Sequence, residues 1–388
     1  MRIQKVIGYI IVGLMMLSTN SNATTIFARQ YDVKCTTCHI GTPPMLNSTG
    51  QAFFRNGFKF SKDDVSTLKK ALSSENRLIP IGLFIGGGYK NAEMTISTPK
   101  GNKVKINEVT NPTASLFFSA SINSNWSAFV GGKFAYLEED PLSSTRTLKM
   151  LRKKFYVQYS GDDVKNVTRV GLLSVYSQFG NVDKGSEYAG LNDAGDIFLT
   201  PLAIANEKFI YGFDYTYQMD NGVSFLVAGG ELDDSNKERD LTLGMSYFNQ
   251  KNFRISAIIN KITATDTASN IKKYTPQERR LGERTTVIIP IEYSTNFAYL
   301  NTAVVYSNVN KKPTDGDYYG WETSLTIPIF DIGKVRAIFT TDNNGDVGYS
   351  LGYSQIFYQS LMLSASYSKF TTSNADFKAI GVSLSYIY

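Results

Sequence analysis

The feature that most constrains the fold of this chain is a repeated alternation of apolar residues with polar or small ones. From Ile79 onward the alternation runs in segments of about ten residues, as at 209–217 and 241–247, with turn-forming residues between the segments. Because successive side chains of a β-strand point to opposite faces, each segment predicts a strand with one apolar face. Segments of this length and spacing are typical of transmembrane β-barrel strands.

About sixteen such segments can be placed, so we predict a mainly β chain that forms an antiparallel transmembrane barrel of about sixteen strands. An even count brings both ends of the barrel to the same side of the membrane. The predicted strands lie near residues 79–92, 112–123, 126–138, 150–161, 166–179, 208–219, 222–232, 239–249, 252–263, 284–295, 297–308, 318–328, 333–342, 345–355, 359–370 and 377–388.

The predicted connections alternate between short turns and longer loops, as they do in outer-membrane barrels. Residues 342–345 are the exception, because they form a short turn on the side of the longer loops. The short turns are predicted at 123–125, 220–222, 249–252, 331–333 and around Tyr358. The longer loops are predicted near 93–111, 139–149, 180–207, 264–283 and 309–317.

The composition and the last segment agree with this prediction. Aromatic residues make up 13% of the chain, as two interfacial girdles would require, although a water-soluble β protein can also be rich in tyrosine. The last segment alternates from Ile380 and ends on the aromatic Tyr388, which resembles the terminal strand read by the assembly machinery of outer membranes.

The first 23 residues have the features of an export signal. Arg2 and Lys5 precede an apolar run over 6–17, and a small-residue site ends at Ala23. The run is shorter than the roughly 20 residues of a spanning helix, and an uncleaved anchor is the alternative. The net charge of +6 is modest and spread along the chain, which predicts no nucleic-acid partner.

The residue types that most often bind metals fall within five positions. Cys35 and Cys38 are the two cysteines of the chain, and His39 is its one histidine. The C-x-x-C-H spacing lets two thiols reach the vinyl groups of one covalent haem c while the next imidazole reaches the iron. A disulfide, a thioredoxin-like redox pair and a zinc site are the alternatives, but zinc lacks a fourth ligand here and a redox pair lacks its strand-to-helix context.

A second histidine cannot fill the sixth position on the iron, which leaves a methionine, a lysine, a backbone amine, water or an open site. Met45 is the nearest candidate for a distal ligand. Ordinary packing of Met45 at the haem edge is the alternative. Helical spacing is suggested at 48–55 and 62–72. Five phenylalanines near the motif could cover an apolar macrocycle: Phe27, Phe53, Phe54, Phe58 and Phe60.

Residues 26–30, the motif at 35–39, residues 44–47, Gly50 and residues 56–58 together resemble the fused outer-membrane cytochrome–porin family, whose best-known members are iron oxidases. The resemblance implies thioether links at Cys35 and Cys38, proximal ligation by His39 and a structural role for residues 27–30. Thr25 differs from the proline of many members, and residues 31–32 replace the usual Thr-Gly. The implied domains are a signal peptide at 1–23, a monohaem cytochrome segment at 24–78 and a barrel at 79–388.

The first functional hypothesis is electron transfer across the outer membrane, with the haem segment on the periplasmic side or in the lumen. Extracellular Fe(II) is the candidate donor and a soluble periplasmic cytochrome is the expected acceptor, so the chain is either an Fe(II)-oxidising cytochrome or an electron carrier. The alternative is a porin or transport barrel with a haem-bearing redox plug. A hydrolytic barrel enzyme is disfavoured because the sole histidine is committed to haem.

Overall fold

The computed structural model of this chain shows a single closed barrel with a short segment inside it. Its described residues are 27, 31, 33–40, 46–60, 81–96, 103–140, 143–175, 210–232, 238–249, 251–264, 283–295, 297–309, 316–329, 333–343, 345–357, 360–372 and 375–387. The predicted signal peptide at 1–23, the candidate ligand Met45 and the suggested helix at 62–72 lie outside them.

Sixteen strands form the wall. Each pairs antiparallel with its sequence neighbours, and the first pairs with the last, so the sheet has no free edge. The strands are β1 (Ile81–Ile96), β2 (Lys103–Ser121), β3 (Trp126–Asp140), β4 (Ser143–Ser160), β5 (Asn166–Leu173), β6 (Ile210–Gln218), β7 (Val223–Leu232), β8 (Glu238–Phe248), β9 (Phe253–Ala264), β10 (Arg284–Ser294), β11 (Tyr299–Val309), β12 (Gly316–Ile329), β13 (Gly333–Asp342), β14 (Val347–Phe357), β15 (Leu361–Thr371) and β16 (Ala375–Ile387). The predicted fold class and strand number are confirmed.

The barrel is apolar outside, and many polar side chains are buried on its inner face. In β8, Leu241 and Met245 are each 52% exposed, whereas Asp240 and Thr242 between them are buried. The same alternation recurs around the wall, so the period of two in the sequence separates an outer apolar surface from the lumen. Exposed aromatic rings form a band near each end of this surface: Trp126, Tyr159, Tyr247 and Tyr293 in one, and Tyr89, Tyr211, Tyr319 and Trp321 in the other.

Short turns gather at one end of the barrel, which we call the short-turn end. The turn at 219–222 closes with a bond of 2.7 Å from the Met219 amide to the Val223 carbonyl, and Gly222 supplies the positive φ of 86° that a side chain would disfavour. The predicted turns at 123–125 and 249–252 also lie between consecutive strands here. Both described ends of the barrel, Ile81 and Ile387, are at this end.

Two predicted loops were wrong in extent. Much of 93–111 and 139–149 is strand in the structure, because β1 pairs with β2 as far as Thr95 and β3 pairs with β4 as far as Asp140. These extensions carry charges, with Glu93 in register with Lys105. A hairpin that projects beyond the bilayer meets water on both faces, so it loses the apolar alternation from which the strands were predicted. In the other direction, β5 ends at Leu173 instead of 179.

The described part of the N-terminal segment has little regular structure. It contains a 3-10 turn at Cys35–Thr37 and the helix α1 (Ser48–Arg55), which lies at the predicted position. Neither of these described helical elements is both long enough and apolar enough to cross a bilayer. We call residues 27, 31, 33–40 and 46–60 the plug, because their aromatic side chains and the end of α1 contact inward-facing residues of the wall.

Candidate functional site

The backbone reverses direction directly after the C-x-x-C-H motif. The 3-10 turn over Cys35–Thr37 leads to His39, which forms an antiparallel bridge with Leu46. The Asn47 amide then donates to the Cys38 carbonyl at 3.0 Å. The bridge and this hydrogen bond therefore hold the motif against the start of α1.

Asn47 joins the motif to the helix with its side chain. Its Oδ1 accepts from the Gly50 amide at 2.9 Å, which makes Asn47 the N-cap of α1. Its Nδ2 donates to the carbonyls of Thr36 and Thr37, each at 3.1 Å. One side chain thus satisfies an otherwise unpaired amide of the helix and two carbonyls of the motif.

Gly50 allows the helix to approach the motif closely. A Cβ built at this position would overlap the Cys38 carbonyl oxygen and would also lie 3.0 Å from Leu46 Cδ2. The absence of a side chain is therefore a condition of this packing. Gly50 was one of the residues that carried the family resemblance, and the close approach gives it a physical reason.

The structure brings the predicted haem-attachment residues into one turn. The side chain of Cys38 is half-buried and packs against the aromatic cluster described below, and His39 is also half-buried. The backbone of Cys35 opens the turn, while its side chain is outside the described part of the structure. The haem-binding roles of Cys35, Cys38 and His39, and that of Met45, stay predictions.

The five predicted phenylalanines do come together, and Tyr31 joins them. The ring centroids of Phe53 and Phe60 are 4.7 Å apart, and those of Phe27 and Phe53 are 5.0 Å apart. Tyr31 packs edge-on against Phe60 at 5.0 Å and donates its hydroxyl to the Phe58 carbonyl at 3.1 Å. Sequence analysis noted Tyr31 only as a departure from the family pattern.

This aromatic cluster packs on the lumen wall. The ring of Phe58 stacks on Phe129 at 5.7 Å, and Phe129 stacks on Tyr156 at 5.4 Å. Wall residues buried in the same cluster come from nearly half of the barrel: Tyr156, Leu173, Val175, Ile210, Leu226, Ala228, Leu232, Ile258, Ile262, Ile288, Ala303 and Val305. The cluster therefore fills lumen space that would otherwise be open to water.

A buried ion pair lies where the plug meets β5 and β6. Arg169 and Asp214 are both 0% exposed, and Arg169 Nε donates to both carboxylate oxygens of Asp214, at 3.1 and 3.0 Å. The guanidinium carbon lies 5.6 Å from the ring centroid of Phe54 in the plug and 5.1 Å from that of Tyr156 in the wall. The arginine thus contacts an aromatic face on each side of the interface.

Hydrogen bonds fix the C-terminal end of α1 to the wall. The Arg55 carbonyl accepts from Gln158 Nε2 at 2.8 Å and from Ser160 Oγ at 2.9 Å. Beyond the helix, Lys59 Nζ donates to the carbonyls of Asn123 and Ser124, at 2.6 and 2.8 Å, in the turn between β2 and β3. These contacts place the end of α1 at the short-turn end of the lumen.

Sequence analysis did not identify the wall residues of this site. Arg169, Asp214 and Gln158 are polar residues at inward positions of strands whose outward positions are apolar. Their alternation with apolar residues predicts that they face the lumen, but it does not predict which of them the plug contacts.

The motif meets the chemical requirements of covalent haem. It offers two thiols and an imidazole on one turn, and Cys38 borders a cluster of aromatic rings of the kind that covers a macrocycle. Within the described ranges, no group of three or more His, Cys, Asp or Glu side chains is arranged to hold a metal ion by itself.

Comparison with known proteins supports the barrel alone. No family model matches the chain, and no curated protein matches it. Among solved structures, the anion-selective porin from Comamonas acidovorans has a TM-score of 0.53 and 12% identity, with 79% of this chain and 99% of that chain covered. Salmonella typhi OmpF, in complex with daunomycin, has a TM-score of 0.51 and 13% identity over 79% of this chain and 97% of its own. The chain thus has the fold of a sixteen-stranded porin barrel.

Proposed function

We propose that this chain is an outer-membrane barrel of the porin type whose lumen is restricted by a plug that carries covalent haem, and that passage through the barrel depends on the plug. The packing of the plug's aromatic cluster on the lumen wall carries the proposal. The apolar outer surface with an aromatic band near each end supports a position in a bilayer. The likeness to solved porins supports the barrel part of the proposal, since it concerns the fold.

Each part of the plug has a distinct task in this proposal. Cys35 and Cys38 would hold the haem through thioethers and His39 would ligate its iron, while the bound haem supplies one-electron redox chemistry. Asn47 and Gly50 hold the motif against α1. Phe54, Phe58 and the carbonyl of Arg55 connect α1 to the wall. A movement of the motif would therefore be transmitted to the wall through α1.

Single-channel conductance of the full-length protein in planar bilayers tests the proposal. We expect the conductance to change between ferricyanide and dithionite in the wild type but not in the haem-free variant Cys35→Ser/Cys38→Ser. Phe225→Ala, a substitution on the outer surface, serves as the control for a general effect of mutation. A wild-type conductance that is the same under both conditions would contradict a redox-dependent plug.

Electron transfer is the second candidate function. The packing of Cys38 against the aromatic cluster that contacts the barrel wall favours it, because a haem attached there would lie beside the protein conduit. In this case Fe(II) or another extracellular donor reduces the haem, and a periplasmic cytochrome receives the electron. Stopped-flow absorbance after mixing with Fe(II) tests it, with His39→Ala as the control. Rapid reduction combined with an unchanged conductance would favour electron transfer over the plugged transport barrel.

A further inference from the structure

A cavity of about 350 Å³ lies between the plug and the wall at the short-turn end. The plug side is lined by Arg55 and Lys59, and the wall side by Asp163, Lys165 and Asp220 from two turns. The volume is within the range of small-molecule sites, which begins at roughly 300 Å³. The cavity is separate from the C-x-x-C-H motif, none of whose residues line it.

Arg55 brings an unsatisfied charge to this cavity. Its Nη2 is buried and has no hydrogen-bond partner in the described part of the chain. Burial, and then the charge of Arg254, lower the pKa of Arg55 to about 10, so the group remains charged at neutral pH. Buried charged groups are normally paired, and an unpaired one carries a large desolvation cost.

The surrounding charges compensate Arg55 and Lys59 only in part. Lys165 lies 2.8 Å from Asp220 and 3.9 Å from Asp163, so the two carboxylates share one cation and keep one negative charge that it does not offset. Lys59 donates to two neutral carbonyls. Arg254 lies 3.7 Å from Glu292, and its Nη1 has no hydrogen bond. The three cations and two carboxylates that line the cavity therefore leave it with one net positive charge.

We propose that the cavity is an oxyanion site that binds one phosphate or carboxylate group, with Arg55 as its principal anchor and Lys59 beside it. A guanidinium suits this role because its planar donors match the oxygens of carboxylates and phosphates, and such charge-assisted bonds are short and strong. The anion would add a negative charge beside Arg55 and Lys59, which both line the cavity. Two sources share this chemistry: a free oxyanion in solution and a propionate of the proposed haem.

Equilibrium dialysis of the full-length, detergent-solubilised protein against radiolabelled inorganic phosphate tests the site. We expect one phosphate per chain, with affinity at least tenfold lower in Arg55→Gln and several-fold lower in Lys59→Gln. Arg239→Gln is the matched control, because Arg239 is exposed at the opposite end of β8 and the substitution removes the same charge. The fold of Arg55→Gln should be retained, because the bonds from Gln158 and Ser160 are made to the backbone carbonyl.

The haem-free variant Cys35→Ser/Cys38→Ser distinguishes the two sources. Equal phosphate binding with and without haem identifies a free oxyanion, whereas binding in the haem-free variant alone identifies a haem propionate as the usual occupant. Absence of phosphate binding in both forms, or equal binding by Arg55→Gln, would overturn the proposal. Neither result depends on conductance or on electron transfer, so the site can fail while the proposed function stands.

Discussion

At the scale of single residues, Arg169 lies at the contact between the plug and the wall. It bonds Asp214 through two oxygens and packs between Phe54 and Tyr156. A buried ion pair of this kind adds little over well-packed apolar residues, but the loss of one partner leaves the other charge buried and unpaired. We therefore expect replacement of Arg169 or Asp214 alone to lower the stability much more than replacement of both by apolar residues.

We expect Asp214→Asn to lower the free energy of unfolding by about 3–5 kcal/mol, because it leaves the Arg169 charge uncompensated. Guanidinium titration in detergent, followed by tryptophan fluorescence, measures the change. Asp220→Asn is the control, since Asp220 pairs with Lys165 at the surface and its side chain is 85% exposed. Equal effects of the two substitutions would show that burial of the first pair does not matter for stability.

At the scale of elements, α1 depends on Asn47 for its beginning. We expect Asn47→Ala to speed hydrogen exchange at the Gly50 amide roughly tenfold, because an N-cap contributes about 1 kcal/mol or more. Asn47→Asp separates the two roles of this side chain, since aspartate can still accept from Gly50 but cannot donate to Thr36 and Thr37. Exchange measured by mass spectrometry should therefore remain slow in the aspartate variant. Slow exchange in both variants would show that tertiary packing, not the cap, holds the helix.

The elements themselves were largely predictable from the sequence. Each predicted strand has a counterpart, and α1 covers the predicted 48–55, because burial on one face imposes a period of two on strands and 3.6 on helices. The prediction failed where burial does not act, in the hairpin extensions of β1–β2 and β3–β4. Strands that stand in water have no face to bury, so they leave no apolar pattern.

At the scale of the whole molecule, two tryptophans should report the position in a bilayer. Trp126 and Trp321 are 44% and 43% exposed on the outer surface, near opposite ends of the barrel. In reconstituted vesicles we expect lipids brominated near the headgroup to quench both more strongly than lipids brominated near the chain end, as interfacial residues should be. Trp126→Phe and Trp321→Phe isolate each signal. Strongest quenching by the chain-end bromines would contradict the assigned bands.

The contact between plug and barrel could not be predicted at this scale. Tyr156 and Arg169 lie on neighbouring strands, and Phe54 reaches them from more than 100 positions earlier in the chain. The alternation along each strand shows which wall residues face inward. Which plug residue contacts each of them depends on how a short, irregular segment packs in the lumen. The sequence pattern contains no period that encodes that placement.

The pairing of β1 with β16 also sets an order of events in time. The plug precedes β1 in the chain, so it is synthesised and exported before any strand of the wall, yet it ends inside a ring that is complete only when the last strand joins the first. A folded enzyme does not fit within the lumen of a sixteen-stranded barrel. Any group that an enzyme attaches to Cys35 and Cys38 must therefore be added before the plug is seated on the wall.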